Sequence, residues 1–166
     1  MKRVLSVLAG VFLAAIMFGQ TTHYVGESYG GGIVFYVNND GKHGIITSTV
    51  DRSARMRRQN ETSTATGAGK FNSERISAIK SVEDDETPVY FNYQDSYYSD
   101  WYLPSKYELS LLYLNRAVLG GYTNFAKGWS SAEASRVNAW FTSFATGGMF
   151  TNGKDDVVYV RVHRRF

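Results

Sequence analysis

Four arginines, Arg52, Arg55, Arg57 and Arg58, form the strongest local concentration of charge in the chain. Their planar guanidinium forks suit sulfate, carboxylate or phosphate groups. The plainer reading is an exposed loop kept soluble by its charge. Thr66-Gly67-Ala68-Gly69-Lys70 approaches the end of a phosphate-binding loop, but Thr64 stands where the first Gly belongs and Phe71 replaces the hydroxyl residue that would hold magnesium. Gly30, Gly31 and Gly32 lack the G-x-G-x-x-G spacing and precede a strand instead of following one, the wrong order for a dinucleotide site. His23, His43 and His163 have no His or carboxylate at zinc-ligand spacing, so each is expected at the surface or in a turn. Glu83-Asp84-Asp85-Glu86 offers hard oxygens to calcium, yet the alternating-ligand pattern with its Gly is missing and a solvated acidic loop suffices. Asp95 and Asp100 are conceivable as the paired carboxylates of a hydrolase, although isolated Asp residues in a Tyr-rich loop usually bond to backbone and solvent. No nucleophile and base pair is recognisable, so the expectation is a protein without catalysis, cofactor or metal.

The first twenty residues read as a secretory signal: Lys2 and Arg3 form a basic start, residues 4–18 are almost wholly apolar, and Gly19 offers a small residue for cleavage. The alternative is an uncleaved anchor, because the run is at the short end of the about 20 residues that a span takes. Loss of Lys2 and Arg3 leaves 16 basic against 15 acidic residues, so the formal charge of +3 falls to +1. The basic pI is then no argument for a nucleic-acid partner. With no cysteine, disulfides, thiol nucleophiles, thiolate metal sites and a lipidated cysteine are all excluded. Stability must come from the core, and the residues left after cleavage are ordinary for one domain. Aromatics are 15% of the chain and Pro only two residues, a composition opposed to disorder.

The elements that must position any site follow from period and punctuation. Residues 33–37 are β-branched and aromatic, and Asn39-Asp40-Gly41 supplies positive-φ residues before Gly44-Ile45-Ile46, which predicts a hairpin. Residues 47–69 have no sustained apolar period and read as a long surface loop. A short helix is expected at 73–80, with Asn72 as its cap and Ile76 and Ile79 on one face. The most secure element is the next helix, where Ser105 and Glu108 form an S-x-x-E capping box, Leu109, Leu111, Leu112 and Leu114 give an apolar face, and Gly120-Gly121 marks the end. From Trp129 onward the pattern turns to strands, with residues 139–144 and 157–162 alternating. Two helices followed by several antiparallel strands make an α+β domain.

Three blocks in one order carry a resemblance: Gly30-Gly31-Gly32-Ile33-Val34-Phe35-Tyr36-Val37; Asp100-Trp101-Tyr102-Leu103-Pro104-Ser105 running into Glu108-Leu109; and Trp129-Ser130-Ser131, Glu133, Ala139-Trp140, Phe144, Gly147, Lys154, Val160-Arg161 and residues 164–166. Together they resemble the Lcl C-terminal domain family, a module of C-type-lectin-like fold in secreted bacterial proteins that include a collagen-like adhesin. The resemblance covers nearly the whole chain after the signal. It implies an α+β, C-type-lectin-like domain over residues 21–166 with two helices and a twisted, mainly antiparallel sheet. Gly67, Gly69 and Asn72 then belong to a structural turn before the first helix, and the closing V-R-x-x-R-x-F, matched by Arg161, Arg164 and Phe166, to the last strand. The Glu-Pro-Asn, Gln-Pro-Asp and Trp-Asn-Asp triplets through which many C-type lectins hold sugars on calcium are absent. Formylglycine-generating enzymes, of related fold, use cysteines that this chain lacks.

Recognition is expected within residues 133–159, where Trp129, Trp140, Phe144 and Val160 in and around the segment bury apolar area and hold the backbone while the residues between them face outward. Ser135, Arg136, Asn138, Phe141, Ser143, Thr146, Met149, Phe150, Thr151, Asn152, Asp155 and Asp156 mix aromatic, hydroxyl and charged types as binding surfaces on rigid scaffolds do. Members of the family are often Asn-rich here. The present mixture is the kind that a diversity-generating retroelement makes from Asn codons, except at Met149, which adenine changes alone do not reach. The expected protein is exported to the periplasm, cell surface or medium. It is a ligand-binding, adhesin-like module for glycan, or alternatively a protein-recognition surface or a passive piece of a surface assembly, with no membrane insertion once the signal is removed.

Overall fold

The computed structural model describes residues 21–54, 68–78, 98–120 and 127–166. The expected signal at 1–20, Arg55, Arg57, Arg58, Gly67, Ile79, the acidic run at 83–86, Asp95 and Gly121 lie outside the described residues. Among those described, the chain forms β1 (Ser28–Tyr29), β2 (Gly32–Val37), β3 (Gly44–Thr47), β4 (Arg52–Ala54), α1 (Gly69–Ala78), α2 (Lys106–Leu114), α3 (Arg116–Leu119), β5 (Lys127–Glu133), β6 (Asn138–Ser143), β7 (Met149–Gly153), β8 (Val158–Val160) and β9 (His163–Arg165). The architecture is α+β, with few helices and two sheets. One sheet has the order β1-β2-β3-β9, all antiparallel, and the other β4-β8-β5-β6-β7, antiparallel except where β5 and β8 run parallel.

The first hairpin forms as expected, although Gly41 alone takes positive φ; Asp40 Oδ1 accepts the Lys42 N–H at 2.7 Å and Asn38 Oδ1 the His43 N–H at 3.2 Å. A bulge between Val34 and Tyr36 breaks the alternation of β2. An extra residue in one strand lets consecutive side chains choose separate destinations. Val34 enters the core between the sheets, Phe35 enters the one beneath α2, and Tyr36 emerges to solvent.

The first helix differs from expectation. It starts at Gly69, so Asn72 lies inside it, its own N–H bonded to Ala68 O, and its buried amide donates to Ser131 Oγ at 3.1 Å. Asn72 therefore fastens α1 to β5 instead of capping it. A Cβ at Gly69 would come within 2.3 Å of Glu108 Oε2 and 2.8 Å of Ser105 N, which explains the small residue there. The capping box is present in both directions, Ser105 N–H to Glu108 Oε2 at 2.8 Å and Glu108 N–H to Ser105 Oγ at 3.2 Å. The helix itself breaks at Asn115, so that Leu109 and Leu112 are buried while Leu114 is exposed.

Residues 101–105 are buried throughout and join the layers. Tyr102 exchanges two 2.8 Å backbone bonds with His163 of β9, Leu103 N–H donates to Ser73 Oγ at 2.8 Å in α1, and Pro104 O accepts the Ser131 N–H at 2.7 Å in β5. Leu103 also enters the inter-sheet core with Ile46, Trp129, Phe141, Val158 and Val160. Three arginines of the closing residues 161–166 are tied in by charge. Arg161 is buried against the Asp51 carboxylate, Arg164 pairs with Asp100 and donates to Gly30 O at 3.1 Å, and Arg165 Nη2 donates to Glu108 Oε1 at 2.8 Å. Asp100, one of the two carboxylates weighed for hydrolysis, is thus half of an ion pair.

Candidate functional site

Segment 133–159 is built on the antiparallel β5-β6-β7 run, and its framework is a buried ion pair. The Lys154 ammonium donates to Glu133 Oε1, their side chains 0% and 6% exposed. Burial lowers the Lys154 pKa, and the Glu133 carboxylate works against that fall. Lys154 N–H also donates to Val137 O at 2.9 Å, so the turn after β7 is fastened beneath the turn joining β5 to β6. Asn138 stands opposite Gly153 and Ala139 opposite Asn152. The result gathers Ser135, Arg136, Asn138, Asn152, Asp155 and Asp156 at one end of the sheet. Arg136, Asp155 and Asp156 are exposed. Ser135 Oγ accepts the Val137 and Asn138 N–H groups at 3.3 and 3.0 Å, so this hydroxyl closes its own turn.

The other expected site residues are elsewhere. Ser143, Thr146 and Met149 sit at the far end of the β6-β7 hairpin, where Thr146 Oγ1 accepts the Gly148 N–H at 3.2 Å and Gly147, at φ 76°, lies against the Tyr113 ring. Phe150 and Thr151 are exposed between the two ends on β7. Phe141 is corrected outright: it is buried in the inter-sheet core, edge-on to Trp129 with centroids 6.2 Å apart and 5.8 Å from Phe150. Trp140, expected in that core, is half-buried on the opposite face of β6 with the Lys106 ammonium 3.6 Å above its ring. Both faces of β6 are covered, one by the opposing sheet and one by α2, so a strand pattern could not say which side was inside.

His163 also departs from expectation. It is fully buried against Phe35, centroids 4.5 Å apart, and neither ring nitrogen has a hydrogen-bond partner among the described residues. Burial pushes its pKa down to about 3, so it is neutral. The adjacent Glu108 is pulled both ways. Burial would raise its carboxyl, and the neutral imidazole lends little field, but donation from Arg165, from the Ser105 N–H and from the Tyr102 hydroxyl (3.0 Å) holds it below its ordinary range. Burial and the neighbouring carboxylate raise Tyr102, which stays a phenol.

A concavity that the sequence did not single out lies between the β2-β3 hairpin and α2. Its volume is about 280 Å³, and Tyr36, Asn38, His43, Tyr107, Arg165 and Phe166 contribute to its walls. The available signal was the pair of exposed tyrosines at otherwise amphipathic positions, but Tyr36 and Tyr107 are 71 residues apart and only the fold joins them. No helix among the described residues is long and apolar enough to cross a membrane. Among them, too, no three His, Asp or Glu side chains are grouped to hold a metal ion.

No family model matches the chain, and no curated protein does. A solved structure does: the crystal structure of a fimbrial protein from Bacteroides ovatus ATCC 8483, with a TM-score of 0.55 at 15% identity. The alignment covers 80% of this chain and 43% of that one, so the chain spans less than half the length of its structural neighbour. At this identity the likeness is one of fold.

Proposed function

We propose that this chain is an exported ligand-binding module of a cell-surface assembly, recognising glycan through the loop cluster of Arg136, Asn138, Asn152, Asp155 and Asp156. The observation that carries the reading is the buried Glu133–Lys154 pair, which clamps two separate turns so that exposed, chemically mixed side chains share one rigid end. A surface ordered before binding loses less freedom when it engages a ligand. The likeness in fold to a fimbrial protein supports the surface setting, and membership of the Lcl C-terminal, C-type-lectin-like family remains part of the proposal. The amino-terminal signal is its route out of the cytoplasm.

A second reading, recognition of a protein by a diversified surface, draws on Val137 and Val157, which are 52% and 59% exposed beside the same turns. Apolar side chains within a polar rim suit a protein interface. Glycan-array binding of residues 21–166, alongside pull-down from surface extracts, separates the two. An Arg136→Ala, Asp156→Ala variant should keep its melting profile and lose about tenfold or more in affinity, as removal of interface anchors does. Unchanged affinity in that folded variant would remove the loop cluster from recognition.

A further inference from the structure

The cleft between the β2-β3 hairpin and α2 has the parts of a separate small-ligand site. Two of its walls are tyrosines presented outward, Tyr36 at 37% exposure by the bulge in β2 and Tyr107 at 47% from the first turn of α2. The third ring, Phe166, is fixed edge-on to His23 and Tyr29 at 4.7 and 5.2 Å and exchanges backbone bonds with Gly44 at 3.2 Å in each direction. Gly44 lets the Phe166 ring and the Tyr36 carbonyl close against the hairpin backbone. A Cβ there would stand 2.6 Å from the Phe166 ring and 2.2 Å from Tyr36 O.

The polar groups decide the class of ligand. Arg165 is oriented in advance, donating from Nη2 to Glu108 Oε1 at 2.8 Å and from Nε to Tyr102 Oη at 3.2 Å. Its charge is therefore matched inside the site. An anion would have to compete with Glu108 for the guanidinium, and a cation would find a carboxylate already accepting from Ser105, Tyr102 and Arg165. What such a site takes at least cost is a neutral ligand with one flat apolar face and several hydroxyls, since aromatic rings pack against C–H faces and unpaired charges are costly to desolvate. A volume of about 280 Å³ is at the lower end for small-ligand pockets. It fits a single ring better than an extended chain.

We infer that this cleft binds one neutral hexopyranose ring, without a metal, using the faces of Tyr36, Tyr107 and Phe166 and the polar edge formed by Asn38, His43 and Arg165. The site is distinct from the loop cluster at Arg136 and does not depend on it.

Amide chemical-shift titration of residues 21–166 with the methyl pyranosides of glucose, galactose and mannose, and with glucuronate as the charged control, tests it. At least one neutral glycoside should shift the amides of Ile45, Tyr107 and Phe166 with a dissociation constant of about 1 mM or below. The affinity should be unchanged between about 0.05 and 0.5 M salt, because no net charge is being screened. Tyr36→Ala with Tyr107→Ala should abolish the shifts while leaving the fold intact, both side chains being largely outside the core; Arg136→Ala should leave them unchanged. No perturbation of these amides by any of the three neutral glycosides, or tighter and salt-sensitive binding of glucuronate, would overturn the inference. Either result leaves loop-cluster recognition on the array standing, and loss of array binding alone leaves the cleft standing.

Discussion

At the scale of single residues, the exchange between Trp140 and Phe141 gives the sharpest measurement. Phe141 fills the inter-sheet core, so Phe141→Ala should cost about 3–5 kcal/mol in denaturant titration, the usual loss for a large buried aromatic. Trp140→Ala removes a half-buried ring and its Lys106 contact and should cost clearly less; Phe150→Ser, on an exposed position, should stay within about 1 kcal/mol. Equal costs for Phe141 and Trp140 would contradict the assignment of faces. His163 makes a second prediction, this time in pH. Its native pKa of about 3 lies below the about 6.5 of an unfolded histidine. Above the higher value both states are neutral. As pH falls between the two, the unfolded chain takes up a proton that the native imidazole refuses, so stability falls. Thermal melts of His163→Phe should show a shallower decline from pH 6.5 to 5 than the parent chain. A parallel decline would mean that the imidazole protonates within the fold.

At the scale of elements, the turn after β7 and the turn between β5 and β6 are one mechanical unit because of Lys154 and Glu133. Lys154→Met strips a carboxylate that is 6% exposed of its ammonium partner and should cost about 3–5 kcal/mol, as broken buried pairs do. Adding Glu133→Leu should recover much of that loss, since two apolar side chains replace two desolvated charges. A double variant no more stable than the single one would show that the pair is not the fastening. The capping box is a smaller device. Ser105→Ala removes the oxygen that takes the Glu108 N–H and is expected to lower the melting free energy by about 1 kcal/mol, read by urea titration.

At the scale of the whole molecule, the last residues close what the first strands open. β9 pairs with β3, His163 bridges to Tyr102, Arg164 reaches Gly30 and Asp100, and Phe166 packs on His23 and Tyr29. A chain lacking residues 163–166 should lose cooperative unfolding by circular dichroism, because one sheet loses a strand and the segment at 101–105 loses its tie to it. Acid should act through the same junction. Glu108 ionises below its ordinary range in the folded protein, so the stability it confers is complete above the unfolded value of about 4.3 and disappears as pH falls through the lower folded value. Glu108→Gln should weaken the acid transition below pH of about 4 while lowering stability at neutral pH.

The sequence by itself determined the pieces whose signals are local. The first hairpin, the capping box at Ser105 and Glu108 and the strand content after Trp129 were all legible because turn chemistry, caps and period act between near neighbours. Six of the twelve proposed site residues also come together at one end of the sheet. The tertiary structure decided which face of each element is inside. Phe141 and Trp140 could not be told apart because β6 is covered on both faces, Asn72 could not be placed without knowing that Ser131 stands opposite, and the burial of His163 depends on Phe35 from a distant strand and on Tyr102 from the segment at 101–105. The cleft is the extreme case: Tyr36, Tyr107 and Arg165 belong to three elements with no sequence relation, and a shared concavity arises only when a hairpin, a helix and the closing strand are packed against one another.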